Sequence, residues 1–287
     1  MAAPRHIWLC ADDYGMAPGV NGAIRDLILR RRLNATSVMM AAPHLGDGEA
    51  EALDTLNSGE TRAALGLHVT LTAPFKPMSE GFSPLRAGTF PPQPEIMRLA
   101  MLRRLKPEPL AIEVATQLRA FVETFGRLPD FVDGHQHVHL LPQVREAFLS
   151  VVAEIAPNAW VRQCGRPRLA RRLHDYKGLV LDILSLGFRA QAERRGLAVN
   201  PAFAGAYVFN AKANFARIFP GFLEGLPDGG LIMCHPGFVD AELERLDSLT
   251  TLREHEFAFF SSEAFPRLLA ARGVELAEPS GEDGGTA

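Results

Sequence analysis

The chain has 287 residues, 47% hydrophobic and 22% charged, enough apolar material for one sizeable core. A formal net charge of −3 weighs against a general nucleic-acid binder, since phosphate contacts need a basic face. Three scattered cysteines, Cys10, Cys164 and Cys234, form no CxxC pair, which argues against a disulfide framework and fits a reducing cytoplasm.

"MAAPRHIWLCADD" has no basic region followed by a long apolar run, so no signal peptide is expected. No stretch approaches the roughly 18 apolar residues of a membrane span. "HIWLCADD" is a short apolar run ending in acids and predicts a buried strand. After Pro18 and Gly19, Val20, Ile24, Leu27 and Ile28 share one face of a helix. "ATSVMMAAP" predicts a second strand stopped by Pro43, "GEAEALDTLNSG" a helix ending near Gly59, and "ALGLHVTLT" a third strand. This alternation implies right-handed βα units and a parallel sheet. The basic runs Arg30 to Arg32 and Arg168 to Arg172 read as solvated helix faces.

From Ala73 to about Pro109 the chain is rich in Pro, Gly and Ser. It reads as an irregular segment that is functional or mobile, with a surface insertion of no role as the alternative. "PLAIEVATQLRAFVETFG" returns to helix, with Val114, Leu118, Phe121, Val122 and Phe125 on one face. "LPDFVDGH" predicts a strand, and "LPQVREAFLSVVAEIA" a helix with Pro142 in its first turn. "NAWVRQC" is a further strand. Residues Pro167 to Arg195 read as helical, with "LVLDILSLGF" an ordinary buried helix rather than a lipid-facing groove. "NFARIFPGFLEGL" predicts a helix broken at Pro220, and "GGLIMCHPGF" a strand ending at His235. "SSEAFPRLLAARG" and "VELA" supply a last helix and strand. A single domain over residues 1–276 is expected, with residues 277–287 too polar to bury and expected to be disordered.

Asp12, Asp13, His68, His135 and His235 each fall at or just beyond the end of a predicted strand. That is where α/β barrels assemble active sites, so an enzyme is expected. "DGHQHVHLLP" places three of nine histidines at alternating positions. Clustered imidazoles repel when charged unless a metal or hydrogen bonds fix them. A carboxylate with neutral imidazoles suits Zn²⁺ and similar divalent ions, and three protein ligands leave a position for water. Asp13, His68 and His135 are the candidate ligands. Were "HQHVH" extended, all three rings would share a face; a turn after His135 would make them diverge. Asp12 is the candidate base and His235 the candidate acid. Consecutive strand residues point oppositely, so Asp12 and Asp13 can both serve only if the strand ends or bulges there. The plainer readings are a core histidine for His68, a turn residue for His235 and surface acids for Asp12 and Asp13. Cys10 and Cys234 read as small core residues beside the site.

Four segments, "ADDYG", "GLHVTLT", "DGHQHVHLLPQV" and "HPGF", resemble in order and spacing the YdjC-type carbohydrate deacetylases, across roughly residues 5 to 276. That group contains chitooligosaccharide and hopanoid-sugar deacetylases. The resemblance implies an α/β, (β/α) barrel-like fold, an incomplete or distorted TIM-type barrel included. It implies one divalent metal ion, Zn or Mg, on Asp13, His68 and His135, with Asp12 as base and His235 as acid. Tyr14 stands where the family commonly has Phe, and Gly134 where Ser is frequent; neither change removes a ligand. His137 and His139 carry no assigned role beyond plausible support of the ligands.

The expected activity is metal-dependent removal of an acetyl group from an N-acetylated sugar, an N-acetylglucosamine-containing oligosaccharide or glycoconjugate. The alternatives are another mononuclear or dinuclear metallohydrolase, acting on a phosphoester or cyclic amide, and a non-catalytic sugar-binding relative. The expected partner is the sugar, with no nucleic acid, no membrane span and a cytoplasmic location. The sequence leaves a homo-oligomer open.

Overall fold

The computed structural model describes residues 3–57, 62–167, 176–210 and 213–279. Its centre is β1 (Arg5–Tyr14), whose Ile7, Leu9, Cys10 and Ala11 are fully buried. Alternating with helices, β2 (Ala35–Val38), β3 (Ala64–Val69), β4 (Phe131–Gly134) and β5 (Trp160–Val161) extend the sheet on one side. β6 (Phe203–Ala204) and β7 (Leu231–Cys234) extend it on the other, giving the order β5-β4-β3-β2-β1-β7-β6 with every pairing parallel. β8 (Val274–Leu276) also runs parallel to β1, along Arg5 to Ile7, leaving Trp8 to Ala11 for β7. Parallel strands require crossovers, so all their C-terminal ends lie along one edge.

The curled sheet is an incomplete (β/α) barrel. Among the described residues no strand ladder joins β5 to β6; two backbone bonds, Val161 N–H to the Ala198 carbonyl at 2.9 Å and Phe203 N–H to the Gly165 carbonyl at 3.0 Å, and one side chain span the gap. Asn200 Oδ1 accepts from the Gln163 backbone N–H at 2.8 Å, and its Nδ2 donates to the carbonyls of Gln163 and Ala202 at 3.1 and 3.0 Å. A single parallel bridge, Val161 to Val199, lies beside it.

The helices cover the sheet with the faces the periodicity predicts. α1 (Pro18–Leu29) buries Val20, Ile24, Leu27 and Ile28, and α2 spans Asp47–Asn57. The predicted end of α2 near Gly59 lies outside the described residues. α4 (Pro107–Phe125) buries Leu110, Val114, Leu118, Phe121 and Phe125, while Val122 is only half-buried. α5 (Val144–Ile155) begins two residues after Pro142, which is therefore outside the first turn.

Several expectations change. The segment from Ala73 to Pro109 is not irregular throughout, because α3 (Gln93–Met101) occupies its second half. The predicted helix from Pro167 is described as α6 (Tyr176–Glu193), and Arg168 to Arg172 lie outside the described residues. "LVLDILSLGF" is not an ordinary buried helix, since Leu179, Val180, Ile183 and Leu186 line an exposed face of α6. α7 (Phe215–Phe222) runs through Pro220 without breaking there. Pro220 is the sixth residue of α7, where one missing N–H and a local clash are tolerated in so short a helix because Phe215 and Phe219 anchor it in the core. The structure adds two helices between β7 and the expected last helix, α8 (Ala241–Leu246) and α9 (Thr251–Ser261); the last helix is α10 (Ala264–Ala271). Most of the expected tail, residues 280–287, is outside the described residues. No helix among the described residues is long and apolar enough to cross a membrane.

Gly66 on β3 pairs with Phe131 on β4, and the Phe131 ring lies over the Gly66 backbone, stacked on Trp160 at 4.4 Å. A Cβ at Gly66 would overlap that ring. Gly66→Ala is therefore expected to destabilise the fold by about 1–3 kcal/mol in urea unfolding, as an overpacked core does. Adding Phe131→Leu should recover part of the loss.

Candidate active site

A regular strand would point Asp12 and Asp13 to opposite faces. β1 avoids this with a bulge. Ala11 pairs with Thr36 and Tyr14 with Val38, so two β1 residues face the single Ser37 of β2. Asp13 takes the left-handed conformation, φ 73°, which Asp tolerates better than most residues. Both carboxyls are buried and line one cavity of about 610 Å³ at the strand ends.

His68 and His135 enter the same cavity from β3 and from the turn after β4. His68 and Asp133 are register partners, and His68 Nδ1 meets Asp133 Oδ1 at 2.5 Å. Ser37 Oγ lies 3.1 Å from the same nitrogen. A ring held at Nδ1 by a carboxylate presents Nε2 to its other neighbour. That neighbour is Asp13 Oδ1, 3.5 Å away, and His135 Nδ1 lies 2.9 Å from the same oxygen. One donor atom each from Asp13, His68 and His135 falls within 4.8 Å of the others. Ligands bonded to one zinc-like ion stand about 3–3.5 Å apart, so little adjustment is needed.

The histidine cluster does not act as a unit. Gln136 and His137 adopt left-handed backbone angles, φ 53° and 59°, inside a short 3₁₀ turn, His135–Leu140. The chain thus turns after His135 and the three rings diverge. His137 lines the cavity wall, edge-on to Phe203, and burial pushes its pKa down to about 3. His139 is fully buried between Phe148 and Phe188, with Nε2 2.8 Å from the Arg162 carbonyl. It is a core histidine.

Two arginines that sequence reasoning missed hold the acids. Buried Arg162, just past β5, grips Asp12 with two bonds of 2.7 Å and reaches Asp133 Oδ2 at 2.5 Å. Burial alone would raise the Asp12 pKa, but the Arg162 guanidinium, with smaller help from His68, holds it well below the usual carboxylate range. Arg253 of α9 donates to Asp13 Oδ2 at 2.6 Å and to Asp247 Oδ2 at 2.7 Å. Here too burial opposes ionisation, and Arg253, then His135, outweigh it to keep Asp13 low. Arg253 leaves Asp13 Oδ1 free for the two imidazoles.

A charge deficit follows. Four carboxylates, Asp12, Asp13, Asp133 and Asp247, meet two guanidiniums in this network. Burial lowers the His68 pKa, but Asp133 and then Asp12 push it up to about 10. A divalent cation at Asp13, His68 and His135 would supply the two missing charges and leave the imidazoles neutral. A second cluster, Cys10, Asp12 and Asp133, also has ligand-like spacing, but the Arg162 guanidinium already lies among its atoms.

His235 follows β7 directly and lines the cavity opposite His68 and His135. Its backbone N–H donates to Glu256 Oε2 at 2.5 Å, and its Nδ1 is buried without a partner among the described residues. Burial and Arg253 lower its pKa despite Asp13. Burial raises the Glu256 pKa to about 7. The loop between β3 and α3 supplies Ala73 and Pro92, and α3 supplies Gln93 and Pro94. Fully buried Glu113 of α4 clamps this loop, accepting from the Met78 N–H at 3.1 Å and from the Ser79 N–H and Oγ at 2.8 and 2.5 Å. The segment is tied down, not free.

The profile of YdjC-like proteins matches residues 6–271. The chain belongs to the YdjC-like family. Chitooligosaccharide deacetylases of Escherichia fergusonii and Salmonella schwarzengrund are each 27% identical to this YdjC-like chain. The alignments cover 93% and 92% of it, and 94% and 93% of the relatives. A solved protein of Enterococcus faecalis V583, described provisionally as a cellobiose-phosphate cleavage protein, superposes with a TM-score of 0.73 at 19% identity, over 96% of this chain and 98% of its own. That likeness establishes a shared YdjC-like fold.

Removing Arg162 would leave Asp12 and Asp133 buried without their counter-charge. Arg162→Met is expected to cost about 3–5 kcal/mol at pH 7, measured by denaturant unfolding. Depressed carboxyls such as Asp12 stabilise the wild type above about pH 4, and that stability is lost as pH falls through their folded-state values. The deficit of the variant should therefore shrink on acidification, as its unpaired carboxylates take up protons.

Proposed function

We propose that this protein is a metal-dependent carbohydrate N-deacetylase, hydrolysing the acetamide of an N-acetylglucosamine-containing oligosaccharide or glycoconjugate. The observation that carries the reading is the meeting of Asp13, His68 and His135 around one point, with Asp12 and His235 lining the same cavity. Membership of a family with chitooligosaccharide deacetylases among its relatives supports the substrate class.

Asp13, His68 and His135 would hold one divalent ion, zinc or magnesium. Bound there, it supplies the Lewis acidity that polarises an amide carbonyl and brings the pKa of water towards about 7. Asp12 accepts the proton of the attacking water. Each Asp12 oxygen receives a bond from Arg162, and Oδ1 accepts a further one from Ser37 Oγ at 3.1 Å, so Oδ2 keeps its second lone pair for the water. Arg162 keeps Asp12 ionised and fixed in orientation. His235 protonates the departing nitrogen. One water is consumed, the C–N bond breaks as a C–O bond forms, and acetate and the amine leave. A dinuclear phosphoesterase is less well supported. Among the described residues, the second ligand-like cluster is already engaged by Arg162.

Acetate release from N,N′-diacetylchitobiose and longer oligomers should disappear on chelation and return with added zinc or magnesium. His135→Ala should stay folded by circular dichroism, lose bound metal by elemental analysis and lose most activity. His235→Asn should keep its metal while kcat falls about 10²–10⁴-fold, the usual share of a general acid. Full activity in His135→Ala would overturn the assignment.

A further inference from the structure

The cavity wall includes one large apolar side chain that solvent reaches freely. Phe209 lies on the connection between β6 and α7, and it is 48% exposed. A lone exposed phenylalanine on a surface needs no explanation. This one differs in being held in place beside the chemistry. Its ring stands edge-to-face with His235, centroids 5.6 Å apart at 86°. On another side it meets Tyr207 at 4.8 Å and 70°. Tyr207 is itself anchored, since its Oη donates to Glu256 Oε1 at 2.7 Å. The other oxygen of Glu256 receives the backbone N–H of His235. One buried carboxyl group thus sets both the candidate acid and the aromatic pair next to it.

Resting on the deacetylase reading, we propose that Phe209 is the stacking platform for the sugar ring whose acetamide is hydrolysed, and so a specificity-determining residue. A pyranose is amphipathic. Its hydroxyls point around the rim, while one face presents a patch of weakly positive C–H bonds. An aromatic face is negative and apolar, so it complements that patch without competing for the hydroxyls. The remaining needs of a sugar are hydrogen-bonding groups, and Gln93, Gln136, Asp247 and Ser248 line the same cavity. A lipid chain would call for a continuous apolar lining, which these polar residues interrupt. Contact between Phe209 and His235 places a ring stacked on Phe209 beside the group that protonates the leaving nitrogen.

The test combines steady-state acetate release from N,N′-diacetylchitobiose with calorimetric binding of chitobiose, the fully deacetylated product. It uses the wild type, Phe209→Ala, Phe209→Leu and Phe209→Trp. Phe209→Ala should raise KM about three- to tenfold, the range of one aromatic contact, with kcat changing less than KM, and should weaken chitobiose binding by a similar factor. Phe209→Leu should not rescue either quantity, and Phe209→Trp should restore both. An unchanged KM in Phe209→Ala, full rescue by leucine, or a fall confined to kcat would overturn the platform while leaving the deacetylase reading intact. Conversely, wild-type binding of chitobiose that is lost in Phe209→Ala, with no acetate released by the wild type, would keep the platform and overturn the deacetylase. Absence of both binding and release in the wild type would overturn both.

Discussion

Two adjacent carboxylates can enter one cavity only where the strand that carries them stops being regular. The bulge at Asp12 and Asp13 meets that condition, and the site depends on it. It has an energetic cost, because Asp13 is held in the left-handed region and both acids lie away from water. The ion pairs to Arg162 and Arg253 offset that cost at two separate points. Without the bulge, one acid would point away from the cavity; without the guanidiniums, two buried negative charges would disfavour folding.

The arginines also divide the carboxyl oxygens by task. Arg162 engages both oxygens of Asp12 and bridges to Asp133, which in turn orients His68. Arg253 engages only Oδ2 of Asp13, so Oδ1 faces His68 and His135. A planar guanidinium can span two acids at fixed angles, which a lysine ammonium cannot do with the same precision of direction. The network remains short of positive charge, and the imidazole of His68 carries the consequence as a strongly raised pKa. A divalent ion on Asp13, His68 and His135 would offset the same shortage.

α9 is the rigid support on the far side of the cavity. Arg253 and Glu256 lie three residues apart, on one face of the helix. One reaches the bulge and the other reaches the His235 backbone. Glu256 also fixes Tyr207, so strand β7, helix α9 and the connection after β6 meet through one carboxyl group. On this side of the cavity, His235 and Tyr207 lie beyond the ends of β7 and β6 and are held by the side chain of Glu256.

Much of this was legible without coordinates. An apolar run ending in acids marked β1, the 3.6-residue period marked α1 and α4, and the strand ends marked Asp12, Asp13, His68, His135 and His235, because local pattern and chain order suffice to line up parallel strands. The helix α3, the intact α7 and the helix α9 were not legible. Proline-rich and charge-rich stretches have weak local signals, and their helices are stabilised by packing on distant surfaces. Nor could spacing separate His135 from His137 and His139; two left-handed residues, chosen by tertiary contacts, send the rings apart. Arg162 and Arg253 resemble any other arginines until the fold buries them beside Asp12 and Asp13. The sequence by itself determined the α/β architecture and the acids and imidazoles at its strand ends. Only the tertiary structure decided their orientations, partners and protonation, since these arise from charges brought together across up to 240 residues of chain.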